Sequence, residues 1–360
     1  MKNKIAVLIA AVLLVSLMST GCVDNDDDDI EFIIVTDMDG REVRVPTEIK
    51  GIVAHGSGCM RLIAYMGATD LLVGVEEFEH RAPTGRPYRL ANPQLADLPS
   101  VGPIHGGDME LIVAAEPCVI FRASTAPEAD DYQDRTGIPT ISLEIGDLDE
   151  NREGFYGSLR LVGEVLGKEE RAEDIIDYID SLIADLDERT KTIPDQGKPS
   201  VYVGGVLARG THPLTSTYGK FAPFTFTHSI NVAGQLGGDH PITGSTMVDK
   251  EQIIAWDPDI IFVDMGSYTA GTTTLDDPEW QVLQAFENGE LYGILPYNYH
   301  HINYGTVLAN SYYVGSVLYP DEFADIDVET KADEIYQMLV GAPVYEIMER
   351  DLGGFGVIEP

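Results

Sequence analysis

Asp108-Met-Glu-Leu-Ile-Val-Ala-Ala-Glu-Pro-Cys-Val-Ile-Phe121 and Asp249-Lys-Glu-Gln-Ile-Ile-Ala-Trp-Asp-Pro-Asp-Ile-Ile-Phe262 align without a gap and are identical at seven of fourteen positions. Each copy reads as a helix stopped by proline, which lacks the N–H of the next helical bond, and then a buried strand. Flanking segments keep the same order. Gly51–Ala54 has its counterpart in Ser200–Val203, and Ile138–Leu143 in Leu291–Leu295. Self-similarity on this scale predicts two similar βα lobes.

Outward from the repeat, short apolar strands alternate with helices, the pattern of an α/β fold with parallel sheets. Ile33 to Val45 reads as a hairpin turning at Asp39-Gly40. A helix is expected around Arg61 to Met66, and strands at Leu71–Val75 and Cys118–Phe121. Between the lobes, Ala172, Ile175, Ile176, Ile179, Leu182, Ile183 and Leu186 recur at helical spacing, with acids on the other face. A long helix there makes a stiff connection, ended by Gly197-Lys198-Pro199. A last helix is expected near Lys331 to Leu339.

The 360 residues are 44% hydrophobic, enough for substantial cores. Against 23 Lys+Arg stand 60 Asp+Glu, a formal net charge of −37. Such a surface repels phosphate backbones and anionic lipid, which excludes nucleic-acid binding and loose membrane adhesion. The amino terminus is more specific. Lys2 and Lys4, an apolar run from Ile5 to Met18 and small residues up to Gly21 form a secretory signal peptide. Cys22 follows Ser19-Thr20-Gly21, the arrangement of a lipoprotein processing site, although Ser19 stands where that motif usually has Leu. The run Asp24 to Asp29 lacks the Gly and Glu of a calcium loop and reads as a self-repelling tether. Cleavage would remove two lysines and no acid. Cys59 and Cys118 sit in no metal-ligand spacing and are expected as free thiols.

The expected division is 1–21 signal peptide, 22–31 lipidated acidic tether, 32–150 first lobe, 151–197 linking helices, 198–342 second lobe and 343–360 tail. With the Thr36-Asp-Met-Asp-Gly-Arg-Glu-Val-Arg-Val-Pro46 opening, Leu98-Pro-Ser-Val-Gly102 and the two repeat copies, the chain resembles the substrate-binding protein of an ABC importer. It is similar to the class that takes iron–siderophores, haem and cobalamin, some members taking molybdate or tungstate. The resemblance implies Rossmann-like lobes joined by a rigid helix, with ligand in the cleft between them and small closure. It implies an extracytoplasmic, lipid-anchored monomer without cofactor, resident metal or catalytic residues, delivering to a permease and its ATPase. It also implies a docking glutamate on each lobe; the matching positions are Glu110 and Glu251.

In open α/β sheets ligands bind beyond the carboxyl ends of the strands. His55-Gly56-Ser57-Gly58 follows the first strand, and His80-Arg81, with Arg86 and Arg89, the second. These arginines either meet an anionic ligand or pair with Glu76, Glu77 and Glu79. His105 precedes the first repeat helix and Arg122 follows its strand; Ser267-Tyr268 follows the second repeat strand, matching Arg122 by position. Arg209 follows the first strand of the second lobe, and Tyr297, Tyr299, His300 and Tyr304 follow the last. Tyr and His hydrogen-bond an oxyanion, stack on a macrocycle or ligate ferric iron. A ferric chelate or related metal complex is therefore the favoured ligand, with a molybdate- or tungstate-type oxyanion second. A chelatase-like enzyme is the reading from a different class, but no GxSxG, HExxH or Walker sequence is present.

Overall fold

A computed structural model describes residues 31–104, 106–236 and 245–359. The expected signal peptide, Cys22 and the tether through residue 30 lie outside the described residues, as does His105. In chain order the strands are β1 (Phe32–Thr36), β2 (Glu42–Pro46), β3 (Ile52–His55), β4 (Leu72–Gly74), β5 (Val119–Ala123), β6 (Thr140–Leu143) and β7 (Ser200–Gly204). β8 (Ser216–Tyr218), β9 (Ile230–Asn231), β10 (Ser245–Met247), β11 (Ile260–Asp264), β12 (Leu291–Ile294) and β13 (Gly356–Val357) follow. β1 and β2 form the hairpin expected around Asp39-Gly40.

The first lobe holds a parallel sheet in the order β4-β3-β5-β6. The second holds β13-β12-β11-β7-β9, parallel except for β13. With β3 matched to β7, β4 to β9, β5 to β11 and β6 to β12, the two orders coincide. Phe121 pairs with Ile141 in β6, and its repeat partner Phe262 pairs with Tyr292 in β12. β3 and β11 are buried along their length, which is why they read as unbroken apolar runs rather than alternating ones. The repeat helices span Met109–Ala114 and Lys250–Trp256.

Two packed helices, Arg152–Leu166 and Glu169–Thr190, form the connection. The stripe of Ala172, Ile175, Ile176, Ile179, Leu182 and Leu186 is buried, as its spacing requires. Helix Tyr304–Leu318, apolar on nearly every side, is buried along most of its length. Arg171 on the long helix donates from Nε to the Tyr65 carbonyl at 3.0 Å and from Nη2 to the Met338 carbonyl. It thereby meets the carboxyl ends of helices Cys59–Tyr65 and Val328–Val340, where a cation complements the helix dipole. Helix Tyr345–Leu352 and β13 follow, and β13 pairs with β12, so the end of the chain completes the second sheet. Both thiols are free: Cys59 is buried, which pushes its pKa up, and Cys118 is half-buried. Among the described residues no helix is long and apolar enough to cross a membrane.

Candidate functional site

In each sheet the chain first steps to one side, from β3 to β4 and from β7 to β9, and then returns to β5 or β11 on the other. A crevice opens at such a switch, beyond the carboxyl ends of the two central strands. The loops there face one cavity of about 1160 Å³ lined from both lobes. The first lobe supplies Ser57, Phe78, Arg81 and Thr84. The second supplies Leu207, Arg209, Thr211, Gly266, Thr269 and Ala270, together with the turn Asn298–His301. Arg209, His300 and His301 hold φ of 56°, 55° and 80°, conformations disfavoured for any residue with a Cβ. Three of the six described non-glycine residues with positive φ thus lie on this one wall, where strain marks a constrained surface.

Arg81 and Arg209 are exposed in the cleft, and among the described residues neither forms an ion pair. Behind the wall the first lobe buries four more guanidiniums, those of Arg61, Arg86, Arg89 and Arg122, and four carboxylates, those of Asp37, Glu76, Glu79 and Asp147. Glu79 accepts from Arg86 Nη1 at 2.8 Å and from the Tyr88 hydroxyl at 2.8 Å, and lies 3.3 Å from Arg89 Nε. Glu76 Oε1 accepts from Gly56 N at 2.9 Å and faces His55 Nε2 at 3.4 Å, while its Oε2 faces His300 Nε2 at 3.7 Å. His55 Nδ1 meets Arg122 Nη1. A guanidinium can only donate, so Nδ1 accepts and the ring proton sits on Nε2, toward Pro103 O at 3.3 Å and Glu76.

Ligand atoms of Glu76, Glu79 and His300 lie within 4.8 Å of one another, close enough to frame a cation. The surroundings argue against one. Both oxygens of Glu79 are engaged, and Arg86 and Arg89 beside it repel added positive charge. An adjoining cavity of about 700 Å³, sharing His301, carries Asp39, Glu144, Asp147 and Glu150 and has the opposite character.

The sequence candidates divide. Ser57, Arg81, Arg209, Tyr299 and His300 line the cleft together. His55 is fully buried beneath it, and Arg122 lies against His55 with its guanidinium 3.9 Å from the Tyr132 ring centroid. Tyr297 is buried among Tyr218 and Phe221, and Tyr304 stacks on Phe155 at 3.9 Å. Tyr268 is half-buried on helix Met265–Thr269 and is not the counterpart of Arg122, because the repeat register pairs Arg122 with Val263. Of the three clustered arginines, Arg86 and Arg89 pair with Glu79 while Arg81 faces the cleft, so both expected roles occur. Reasoning from sequence passed over Asn298, Thr211 and Phe78. His301 was within reach, since it lies in the His300-His301 pair. Glu110 and Glu251 are both exposed, in the first turns of the two repeat helices.

Over 93% of its length this chain is 23% identical to the molybdate-binding protein MolA of Haemophilus influenzae, of which it covers 96%. It is 23% identical to the petrobactin-binding protein YclQ of Bacillus subtilis, over 74% of this chain and 80% of that protein. Among solved structures, a periplasmic solute binding protein from Veillonella parvula superposes with a TM-score of 0.71 at 21% identity, over 89% of this chain and 97% of that one. The family model described as periplasmic binding protein matches residues 52–297, from β3 of the first lobe to the turn after β12 of the second. That span exceeds half of the sequence and takes in the first sheet and every strand of the second but β13, and the chain belongs to the periplasmic binding protein family.

Proposed function

We propose that this protein is the lipid-anchored, extracytoplasmic solute receptor of an ABC importer, and that its cargo is an anionic metal complex, a ferric chelate foremost. The observation that carries the reading is the cleft: about 1160 Å³ between two lobes, with Arg81 and Arg209 in no ion pair among the described residues of a chain of net charge −37. Drug-sized ligands occupy pockets of roughly 300–1,000 Å³. A chelate fills such a space, and carboxylate or catecholate oxygens match guanidinium forks. Tyr299, His300 and Ser57 add donors around it. Capture and release require no chemistry. Glu110 and Glu251 would then meet cations on the permease.

A molybdate- or tungstate-type oxyanion is the second reading, favoured by the near full-length similarity to MolA. The discriminating experiment is a thermal-shift screen of the mature chain against ferric siderophores, haem, cobalamin, molybdate and tungstate. A ligand at 100 times its dissociation constant adds about 2.7 kcal/mol of stability. Stabilisation by ferric chelates alone supports the first reading. Stabilisation by molybdate and by no iron complex replaces it with the second, and no response to any of them removes both.

A further inference from the structure

The turn that carries Tyr299, His300 and His301 follows β12 and belongs to the second lobe by sequence, yet its anchors lie on the first. Arg61, on helix Cys59–Tyr65, is only 1% exposed. Its Nε donates to Asn303 Oδ1 at 3.0 Å, and its Nη2 to the carbonyls of Tyr299 at 3.2 Å and His300 at 3.1 Å. Asn303 Nδ2 in turn faces the carbonyls of Gly85 at 3.4 Å and Tyr297 at 3.1 Å. The Tyr299 ring lies so close to Gly85 that a Cβ there would meet it at 2.8 Å. His300 packs on Phe78 with ring centroids 4.0 Å apart. Asn298, one residue earlier, reaches the other way, donating to Leu207 O and the Tyr218 hydroxyl, each at 3.1 Å. The chain therefore passes from one lobe to the other between Asn298 and Tyr299.

A guanidinium withdrawn from water without a carboxylate partner is costly. Among the described residues Arg61 has only neutral oxygens as acceptors, its Nη1 meets none, and its guanidinium carbon lies 5.0 Å from the Tyr88 ring centroid. An apolar side chain would avoid that desolvation, so stability alone does not account for arginine here. What arginine uniquely offers is a rigid fork that grips an amide oxygen and two successive carbonyls at once. Those two carbonyls flank the entry to a turn with two consecutive residues at positive φ, a conformation that persists only when its surroundings fix it.

We propose that Arg61 is a positioning residue of the ligand cleft: it locks the Tyr299–His301 turn onto the first lobe, so that the turn, Ser57 and Arg81 form one preformed half-site against which Arg209 of the second lobe closes. What the half-site binds rests on the solute-receptor reading; the anchoring of the turn does not.

The test uses the full mature chain. Amide deuterium exchange is followed without ligand, and binding of ferric citrate and of molybdate is measured by calorimetry. Arg61→Met should speed exchange across residues 299–302 at least tenfold and leave helix Glu169–Thr190 unchanged. It should also weaken whichever probe the wild type binds by about tenfold or more, as loss of an outer-shell support does. Arg61→Lys should fall between. Arg81→Met should weaken binding with exchange of the turn unaltered, separating contact from positioning. Should Arg61→Met not fold, the Arg61 Nε–H resonance of arginine-labelled wild-type protein decides: protection from solvent exchange supports the anchor, rapid exchange overturns it. Unaltered exchange in Arg61→Met overturns the proposal, and so does faster exchange with unchanged affinity. A wild-type chain that binds neither probe counts against the ligand classes, while the exchange data still decide whether Arg61 holds the turn.

Discussion

Among the described residues Arg81 and Arg209 stand in the cleft without carboxylate partners, although acids outnumber bases 60 to 23 in the sequence. Hydrogen bonds to charged groups contribute about 1.5–3 kcal/mol. Arg81→Ala and Arg209→Ala should each weaken binding of an anionic probe about tenfold or more, read by calorimetry. Exposed positions move stability by only about 0.5 kcal/mol, so the melting temperature should hardly change. Beneath the second-lobe wall, burial pushes the Asp264 carboxyl up to about 7, against the amides of Leu207 and Gly266, which pull it down. Its ordinary value is 3.8, so the folded state holds the proton more tightly than the unfolded chain does. That contribution is fully present below pH 3.8 and is lost as pH rises through about 7. Asp264→Asn keeps an oxygen for the Gly266 amide but cannot titrate. The wild type should therefore lose stability relative to the variant between about pH 4 and 7, with the gap constant above; parallel melting curves would refute this. Legibility at this scale was partial. The strand-end rule locates loops but not the direction of a side chain within one. His55 looked like a ligand donor, yet it ends a central strand and is taken up by Arg122 and Glu76. Tyr297 and Tyr299 are two residues apart, and the turn sends one to the core and the other to the cleft.

The two repeat helices offer an internal control on capping. Asp108 Oδ1 accepts from the amides of Glu110 at 2.9 Å and Leu111 at 3.2 Å, which satisfies two of the donors a helix start leaves open. Asp249, in the same position of the second copy, makes no side-chain cap bond; there Lys250 pairs with Asp277 and Glu279, each at 2.5 Å. Asp108→Ala should cost about 1 kcal/mol by chemical denaturation, and Asp249→Ala distinctly less. Equal losses would mean that the cap bond is not what the first aspartate contributes. The repeat itself was readable because buried parallel strands and their stopping prolines leave a local signature in both copies. The hairpin was readable from Asp39-Gly40 and the long helix from its apolar stripe. The short β8, β9 and β10 were not, because strands of two or three residues carry no periodicity. Linking helices over 151–197 were expected, but the place of helix Tyr304–Leu318 was not visible, since a helix buried along most of its length has no polar face to reveal its orientation.

At the scale of the whole molecule, the duplication places Glu110 and Glu251 at equivalent positions on the two lobes, each exposed in a first turn. Their separation is held by more than the linker. Arg171 ties the long helix to Tyr65 on one side and Met338 on the other, and Arg61 ties the first lobe to the Tyr299–Asn303 turn. Two charges presented at a fixed distance suit a partner that offers two matched cations, because the second contact then forms at high effective concentration. If these glutamates dock to the permease, Glu110→Arg or Glu251→Arg alone should reduce ligand-stimulated ATPase of the cognate importer in liposomes. The double variant should abolish it, since like charges brought together cost several kcal/mol. Both positions lie apart from the residues lining the cleft, so ligand affinity should match the wild type in all three variants. The bland alternative is that each glutamate only complements its helix dipole, a contribution of about 0.3–1 kcal/mol. On that account the variants would lose a little stability and none of the stimulation, and a double variant with wild-type ATPase would leave the helix dipole as the whole explanation for both residues.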